Sequence, residues 1–353
     1  MLSDLSVRDF RCFAEAKVEL HPETTLLVGR NAQGKTSLIE AACVLMRLQS
    51  PRTANRAELL RFGASTCLVE AAWNGKRMRY AQSPTTRRLA LDGATCGKSA
   101  DYLAASGVVV WMDHRDMNLL RGGAEHRRRF LDFAASQMFP DYLHALRGYE
   151  RALRGRNYVL KRDAVIAWKQ ADAFARVMDG FAQVLWRRRA ELCELLLPQV
   201  CKAHGHLSDG TETIRIELAS TSEAGSLFEA LLMMREEESR SRSSVFGPHR
   251  DDIAMHLNDR DATTYASEGQ QRSFALSMKL AQAHVLEKSR GEAPLILIDD
   301  VFGELDAHRR RALLTLLPTG TQKLITTTHL DWAGTELHEC VTYEVESGSL
   351  RRH

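Results

Sequence analysis

Residues 29–36 read Gly29-Arg30-Asn31-Ala32-Gln33-Gly34-Lys35-Thr36: a glycine, four residues, then glycine, lysine and a hydroxyl residue. A short apolar run, residues 24–28, stops at Gly29. Leu38, Ala41, Ala42 and Leu45 then recur at helical spacing, which predicts a helix from Lys35 to about Leu48. A buried strand, a glycine loop and a helix in that order form the context in which this pattern cradles phosphate. The glycines let the loop curl until successive backbone N–H groups point inward. The helix N-terminus adds a partial positive charge beneath them. Lys35 is placed to reach the β and γ phosphates of ATP, and the Thr36 hydroxyl to hold Mg²⁺. The nucleotide-binding stretch is taken as Gly29, Arg30, Asn31, Ala32, Gln33, Gly34, Lys35, Thr36 and Ser37.

A second signal lies far along the chain. Leu295-Ile296-Leu297-Ile298 ends in Asp299-Asp300, a carboxylate pair at the end of a buried apolar strand. Beside a phosphate loop, that is where a Mg²⁺ ligand belongs. Asp299 is assigned to the metal, and Asp300 to orienting or deprotonating the attacking water. Other strands are expected at 67–73 and 78–81, turning at Asn74-Gly75, and at 108–112, 213–218, 253–257 and 322–326. Helices are expected at 226–238 and 268–288. Between about 125 and 200 the period changes. Tyr142, Leu146, Tyr149, Leu153 and Leu160, then Phe174, Val177, Met178, Phe181, Val184 and Leu185, predict about three packed amphipathic helices. No long heptad series implies a coiled-coil arm.

The 353 residues can bury a substantial core, and a net charge of only +3 says little about partners. Its distribution says more: residues 115–162 hold eleven Arg and Lys against five Asp and Glu, a basic middle segment. No stretch is long and apolar enough for a bilayer, and the N-terminus lacks the pattern of a secretion signal. Seven scattered cysteines without a CxxC pair fit reduced thiols in a cytoplasmic protein. Cys201, His204 and His206 match no zinc spacing.

Three further pieces, in order and spacing, resemble the ABC ATPase head. Ser267-Glu268-Gly269-Gln270-Gln271 stands at that class's signature motif, where a serine, a bare glycine backbone and a helix start face a phosphate. Gly303-Glu304-Leu305-Asp306 follows at D-loop spacing, with Asp306 its key residue, and Thr326-Thr327-Thr328-His329 resembles the switch histidine. The resemblance implies an α/β fold: an ABC-type ATPase head, a mixed β-sheet with flanking helices, carrying an inserted α-helical lobe. The expected division is an ATPase domain of residues 1–112 and 205–353 with a lobe at 113–204. It implies Lys35, Asp300 and His329 as catalytic residues, and a head-to-tail homodimer in which each signature meets its partner's ATP.

Ser267 comes 231 positions after Thr36, room for a helical lobe but not for the arms of SMC proteins. Several phrases resemble the RecF family: residues 31–36, Gly247-Pro248-His249-Arg250-Asp251-Asp252, Ser267 through Arg272, Asp299 through Asp306, and Arg127-Arg128-Arg129-Phe130-Leu131-Asp132. The chain departs from that pattern at Ser37, Pro51, His114 and Ala124, and Asp300 stands where a longer glutamate base is usual. The resemblance implies recombinational repair: ATP-dependent binding of double-stranded DNA and single-strand/double-strand junctions, with RecR and RecO, to promote RecA loading on gaps coated by single-strand-binding protein. It implies a weak, DNA-stimulated ATPase, on the order of one turnover per minute or below, in a bacterial cytoplasm. Arg147, Arg151 and Arg154 share one helix face, and Arg187, Arg188 and Arg189 form a second cluster. Both are candidates for sequence-independent phosphate contacts, with a solvated helix face as the other reading. The alternative function is another ABC-class ATPase that couples ATP to a non-DNA partner. A nuclease appended to such a head has no room in this chain.

Overall fold

The computed structural model describes residues 1–208, 210–220, 225–330, 332, 337 and 339–353. In chain order its elements are β1 (Leu2–Phe10), β2 (Phe13–Glu19), β3 (Thr24–Val28), α1 (Lys35–Arg47), β4 (Cys67–Trp73), β5 (Lys76–Gln82), β6 (Arg87–Leu91), β7 (Ala94–Thr95), α2 (Ser99–Ala105) and β8 (Val109–Asp113). There follow α3 (Asn118–Arg121), α4 (Ala124–Met138), α5 (Tyr142–Arg162), α6 (Trp168–Leu207), β9 (Ile214–Ala219), α7 (Leu227–Met233), α8 (Arg235–Ser241), β10 (Asp252–Leu257), β11 (Arg260–Asp261), α9 (Ala262–Tyr265) and α10 (Glu268–Arg290). The chain ends with β12 (Leu295–Asp299), α11 (Ala307–Leu316), β13 (Lys323–Thr327), β14 (Cys340–Glu346) and β15 (Ser349–Arg352). It divides into two compact units, residues 1–116 with 282–353, and residues 117–281.

In the first unit, five neighbouring strands of one sheet, β14-β3-β13-β12-β8, run parallel, and β15 closes its edge antiparallel. β8 and β12 are buried along their whole length, as parallel strands covered on both faces require. The other sheet, β2-β1-β4-β5-β6-β7, is antiparallel. β4 alternates buried and half-buried residues, and the β4–β5 hairpin turns at Asn74-Gly75 as expected. Helix α1 packs against strands of both sheets, β8, β12 and β13 on one side and β1, β4 and β5 on the other. That placement explains a departure from the single apolar face read in its sequence: Ile39, Cys43, Val44 and Met46 are as buried as Leu38 and Leu45. It also buries Glu40 completely, and Arg11, Ser50 and Arg52 converge on that carboxylate.

The second unit holds the three expected helices, α4, α5 and α6. Gly148 and Gly155 of α5 lie against Phe181 and Phe174 of α6. A Cβ at either glycine would fall 2.4 or 2.6 Å from the opposing ring, so two bare positions seven residues apart admit two aromatic ones. Val177, expected inside, is 55% exposed, and the helix expected over 226–238 breaks at Met234 into α7 and α8. The expected boundaries at 113 and 204 differ from those observed. Residues 205–281 group with the helices because β9 packs along α6 and β10 along α4.

A knot of buried ion pairs ties this unit together. Asp251, wholly buried, accepts Arg189 Nη1 at 2.8 Å and Trp186 Nε1 at 3.2 Å. Arg189 also reaches Asp132 at 2.8 Å and the Pro248 carbonyl at 2.6 Å. Arg127 forks onto both oxygens of Asp252, and Arg128 donates to the Asp251 carbonyl. Burial works against the Arg189 charge, but Asp132, Tyr142 and Asp251 hold its guanidinium well above its ordinary value. One loop, residues 247–252, is thereby bound to α4 and α6. Arg189→Ala removes the cation shared by Asp132 and Asp251 and is expected to destabilise the protein by about 3–5 kcal/mol in urea unfolding. Exposed Arg154→Ala, by the same measurement, is expected to stay within about 0.5 kcal/mol of the parent.

Candidate nucleotide site

The parallel register brings the strand ends of the first unit to one level. Asp299 of β12 lies opposite Thr326 of β13, and Thr327 opposite Val28 of β3. The loop after β3 therefore starts beside the end of β13, and the Gly29 N–H donates to the Thr327 carbonyl. A Cβ on Gly29 would sit 2.3 Å from the Val345 carbonyl oxygen, so no other residue fits there. Gly34 has φ +112°, a conformation glycine adopts freely, and it packs on Cys12 and Phe13. The turn between β14 and β15 braces the loop, with Ser347 N–H on Gln33 Oε1 at 2.7 Å and Gly348 N–H on the Gln33 carbonyl. Arg30, Asn31 and Ala32 stay exposed.

Within this frame the sequence-predicted residues converge. Lys35 curls back and donates Nζ to the carbonyls of Gly29, at 2.6 Å, and Arg30, at 2.9 Å. Burial lowers its pKa, and the charges of Asp300 and Asp299 oppose that. Thr36 Oγ1 donates to Asp299 Oδ1 at 2.7 Å, and Thr326 Oγ1 donates to the same oxygen at 2.8 Å. Both bonds fall on Oδ1 and leave Oδ2 for another partner. An oxygen-only set of hydroxyl and carboxylate fits a hard cation such as Mg²⁺. Burial raises the Asp299 pKa, the two hydroxyl bonds oppose it, and the charge of Asp113 adds to it. Asp300 is half-buried with φ +55°, and its N–H meets both the carbonyl and the hydroxyl of Thr326. Ser37 is buried in the first turn of α1.

Two contributors were not singled out from sequence. The Thr326 hydroxyl is one, since only strand register reveals which threonine of Thr326-Thr327-Thr328 faces Asp299. The other is Asp113. It ends β8 beside Asp299, is buried, and accepts Trp111 Nε1 at 2.9 Å and Arg115 Nε at 2.8 Å. The signal was present: Val108-Val109-Val110-Trp111-Met112 ends in a carboxylate just as Leu295 to Ile298 does.

His329 is exposed, its Nδ1 2.9 Å from Thr328 Oγ1, and its ring lies against Gly303. Asp306 caps α11 by accepting the Arg309 N–H at 2.8 Å, a bond that lowers its pKa. Phe302 stacks on Trp332 at 4.4 Å, and Trp332 Nε1 donates to Thr327 Oγ1. In the second unit, Ser267 and Gln270 cap the start of α10 reciprocally. The Ser267 N–H donates to Gln270 Oε1 at 2.8 Å, and the Gln270 N–H to Ser267 Oγ at 3.4 Å. Ser267 and Glu268 are exposed, and Gly269, Gln270 and Gln271 half-buried.

A model of the AAA ATPase domain matches residues 1–65. The DNA replication and repair protein RecF of Halalkalibacterium halodurans is 33% identical over 99% of this chain and 98% of its own length. RecF of Thermosynechococcus vestitus is 37% identical over 93% of the chain and 91% of its own length. The chain belongs to the RecF family. A solved structure of the recombination mediator protein RecF-ATPrS in the RecFOR pathway superposes with TM-score 0.89 at 25% identity, covering 100% of this chain and 98% of that one. An Smc head bound to the C-winged helix domain of ScpA, 14% identical, gives 0.57 over 100% of this chain and 96% of that one, a likeness of fold. The fold is thus the ABC-type ATPase head.

Two of the RecF-like phrases, residues 127–132 and 247–252, meet each other in the ionic knot. Arg127 pairs with Asp252, Arg128 donates to the Asp251 carbonyl, and Asp132 shares Arg189 with Asp251. His249 is sandwiched between the Tyr149 hydroxyl and the Ser244 carbonyl, where burial pushes its pKa down to about 4. Among the arginines proposed for phosphate contact, Arg189 is corrected: it is 2% exposed and committed to Asp132 and Asp251. Arg187 and Arg188 both pair with Asp141, and Arg188 also with Glu191. Arg151 and Arg154 are exposed, Arg154 within 3.9 Å of Glu150, and Arg147 is half-buried. Among the described residues, no helix is long and apolar enough to cross a membrane.

The Asp299 shift has a stability consequence. Its folded pKa lies above its ordinary value, so its favourable contribution is present below that ordinary value and is lost as pH rises through the folded one. At neutral pH the buried charge is a net cost. Asp299→Asn is therefore expected to melt higher than the parent at pH 7 without nucleotide or metal. The difference should shrink as the pH falls toward 4 in paired scanning-fluorimetry series.

Proposed function

We propose that this chain binds ATP with Mg²⁺ in the Gly29–Ser37 loop and uses it as a switch for holding DNA in recombinational repair. The observation that supports this most is the convergence of Thr36, Asp299 and Thr326 at the mouth of a phosphate loop, in a chain of the RecF family. In this reading Lys35 leaves the carbonyls of Gly29 and Arg30 for the β and γ phosphates. The loop N–H groups and the start of α1 bind the remaining phosphate charge. Thr36 and Asp299 would hold the Mg²⁺, which would neutralise phosphate charge there. Asp300 orients the attacking water and takes its proton, and His329 contacts the γ-phosphate. Asp300 is a short base, and turnover is expected to be slow, on the order of one per minute or below.

Ser267 through Gln271 would meet the nucleotide of a second copy, with Asp306 at the same junction. ATP then joins two subunits and hydrolysis removes the phosphate that joined them. Arg151 and Arg154, with Arg147, would contact duplex DNA or a single-strand/double-strand junction through phosphate alone, without reading sequence. RecR, together with RecO, would be the partner through which RecA is loaded.

The deciding measurement is analytical ultracentrifugation of the parent and Lys35→Met, with and without ATP, Mg²⁺ and a tailed duplex. The parent is expected to dimerise and retain DNA only with ATP, and Lys35→Met to stay monomeric. Equal DNA binding by a nucleotide-free monomer would sink the switch. For the DNA surface, Arg151→Glu is expected to weaken DNA binding at low salt and to lower the salt slope by about one to two phosphate contacts. Its ATP binding should stay intact, and an unchanged slope would remove α5 from the interface.

A further inference from the structure

The signature residues rest on a polar assembly that the nucleotide chemistry does not use. Gln270 turns its Oε1 to the Ser267 N–H, which leaves its Nε2 to donate to Glu212 Oε1 at 2.8 Å. The other carboxylate oxygen, Oε2, accepts His204 Nε2 at 2.7 Å. His204 sits on the last turn of α6, is 1% exposed, and places Nδ1 3.3 Å from Ser277 Oγ of α10. Gln270 and Ser277 are seven residues apart on α10, so one face of its first three turns is held at two points by the C-terminal end of α6 and the segment after it. On the other side Arg121 reaches Glu268 at 3.2 Å and Gln271 Oε1 at 2.8 Å.

A glutamine side chain in water samples many rotamers, and freezing it costs free energy. Here a buried imidazole orients a carboxylate, the carboxylate orients the Gln270 amide, and the amide fixes the Ser267 backbone. A bond with one ionised partner is stronger than a neutral one and sets direction more tightly. The first turn of α10 is therefore aimed before any ligand arrives, which saves that ordering cost on binding. The same arrangement accounts for His204, which with Cys201 and His206 had raised the question of a metal. Its ring nitrogens are engaged by Glu212 and Ser277, and no metal-holding cluster occurs among the described residues.

We infer that Glu212, backed by His204, is a positioning residue that presents the signature segment Ser267–Gln271 to the nucleotide of a second copy of this chain. The inference rests on the dimer reading above and deepens it.

The test compares the parent, Glu212→Ala, Glu212→Gln and Ser267→Arg. Dimer formation with ATP and Mg²⁺ is measured by sedimentation equilibrium, ADP affinity by calorimetry, and stability by thermal melting. Glu212→Ala is expected to weaken the ATP-dependent dimer roughly tenfold, the scale of one charge-assisted hydrogen bond. ADP, in the proposed reading held by the chain's own loop alone, should bind within about twofold of the parent. Glu212→Gln should restore most of the dimer, because its amide still accepts from Gln270 and pairs with the imidazole in its other tautomer. If Glu212→Ala dimerises as tightly as the parent while Ser267→Arg does not, the positioning role is overturned and the dimer reading stands. If both Glu212 variants lose ADP binding and thermal stability along with the dimer, the residue is merely structural and the inference falls. If the parent itself stays monomeric with ATP, the dimer reading fails and takes the inference with it.

Discussion

The Asp299 carboxylate, held by two threonine hydroxyls, is the interaction on which the candidate site depends. One hydroxyl comes from the first turn of α1 and the other from the end of β13, so this single oxygen joins the phosphate loop, the acidic strand and the strand that leads to His329. Burying a carboxylate is unfavourable, and two aligned O–H donors offset part of that cost. They converge because β3, β13 and β12 are parallel neighbours in register. Lys35, Asp300 and His329 each lie within three residues of one of these anchor points. Their arrangement follows from the pairing of strands rather than from any contact among themselves.

The second unit is organised by a different principle. Residues 115–162 carry a surplus of basic residues, but Arg127, Arg128 and Arg156 turn inward, as does Arg189 further along. Arg156 forks onto a wholly buried Glu238, and the others meet Asp132, Asp251 and Asp252. Buried ion pairs of this kind add little net stability over a well-packed apolar core, and breaking one is costly. Their effect here is to fix how one loop and its helices meet. The arginines left outside, Arg151 and Arg154 among them, are therefore fewer than the charge count of the segment implies.

What could be read in the sequence follows from how local each constraint is. The loop from Gly29 to Thr36, the helix after it and the Asp299-Asp300 strand end are all set by neighbours in the chain, and each appears within a residue or two of its expected place. The three helices were legible from apolar period alone. The error at Arg189 was of another kind: in Arg187-Arg188-Arg189 two of three identical residues share Asp141 and the third turns inward to Asp132 and Asp251, and only the facing carboxylates decide which one is interior. Asp113 and the Thr326 hydroxyl were missed for a related reason, since strand register is a property of pairs. The grouping of residues 205–281 with the helices came from packing partners that no single-chain period reveals.

The stack of Phe302 on Trp332 couples two short segments that the chain keeps far apart in number. One precedes Asp306 and the other follows His329, and the indole is further anchored to Thr327. Indole emission is sensitive to ring stacking and to the bond its N–H makes. Trp332 is one of five tryptophans, so the part of the emission lost on replacing it alone is an unlabelled reporter of the Phe302–Trp332 junction.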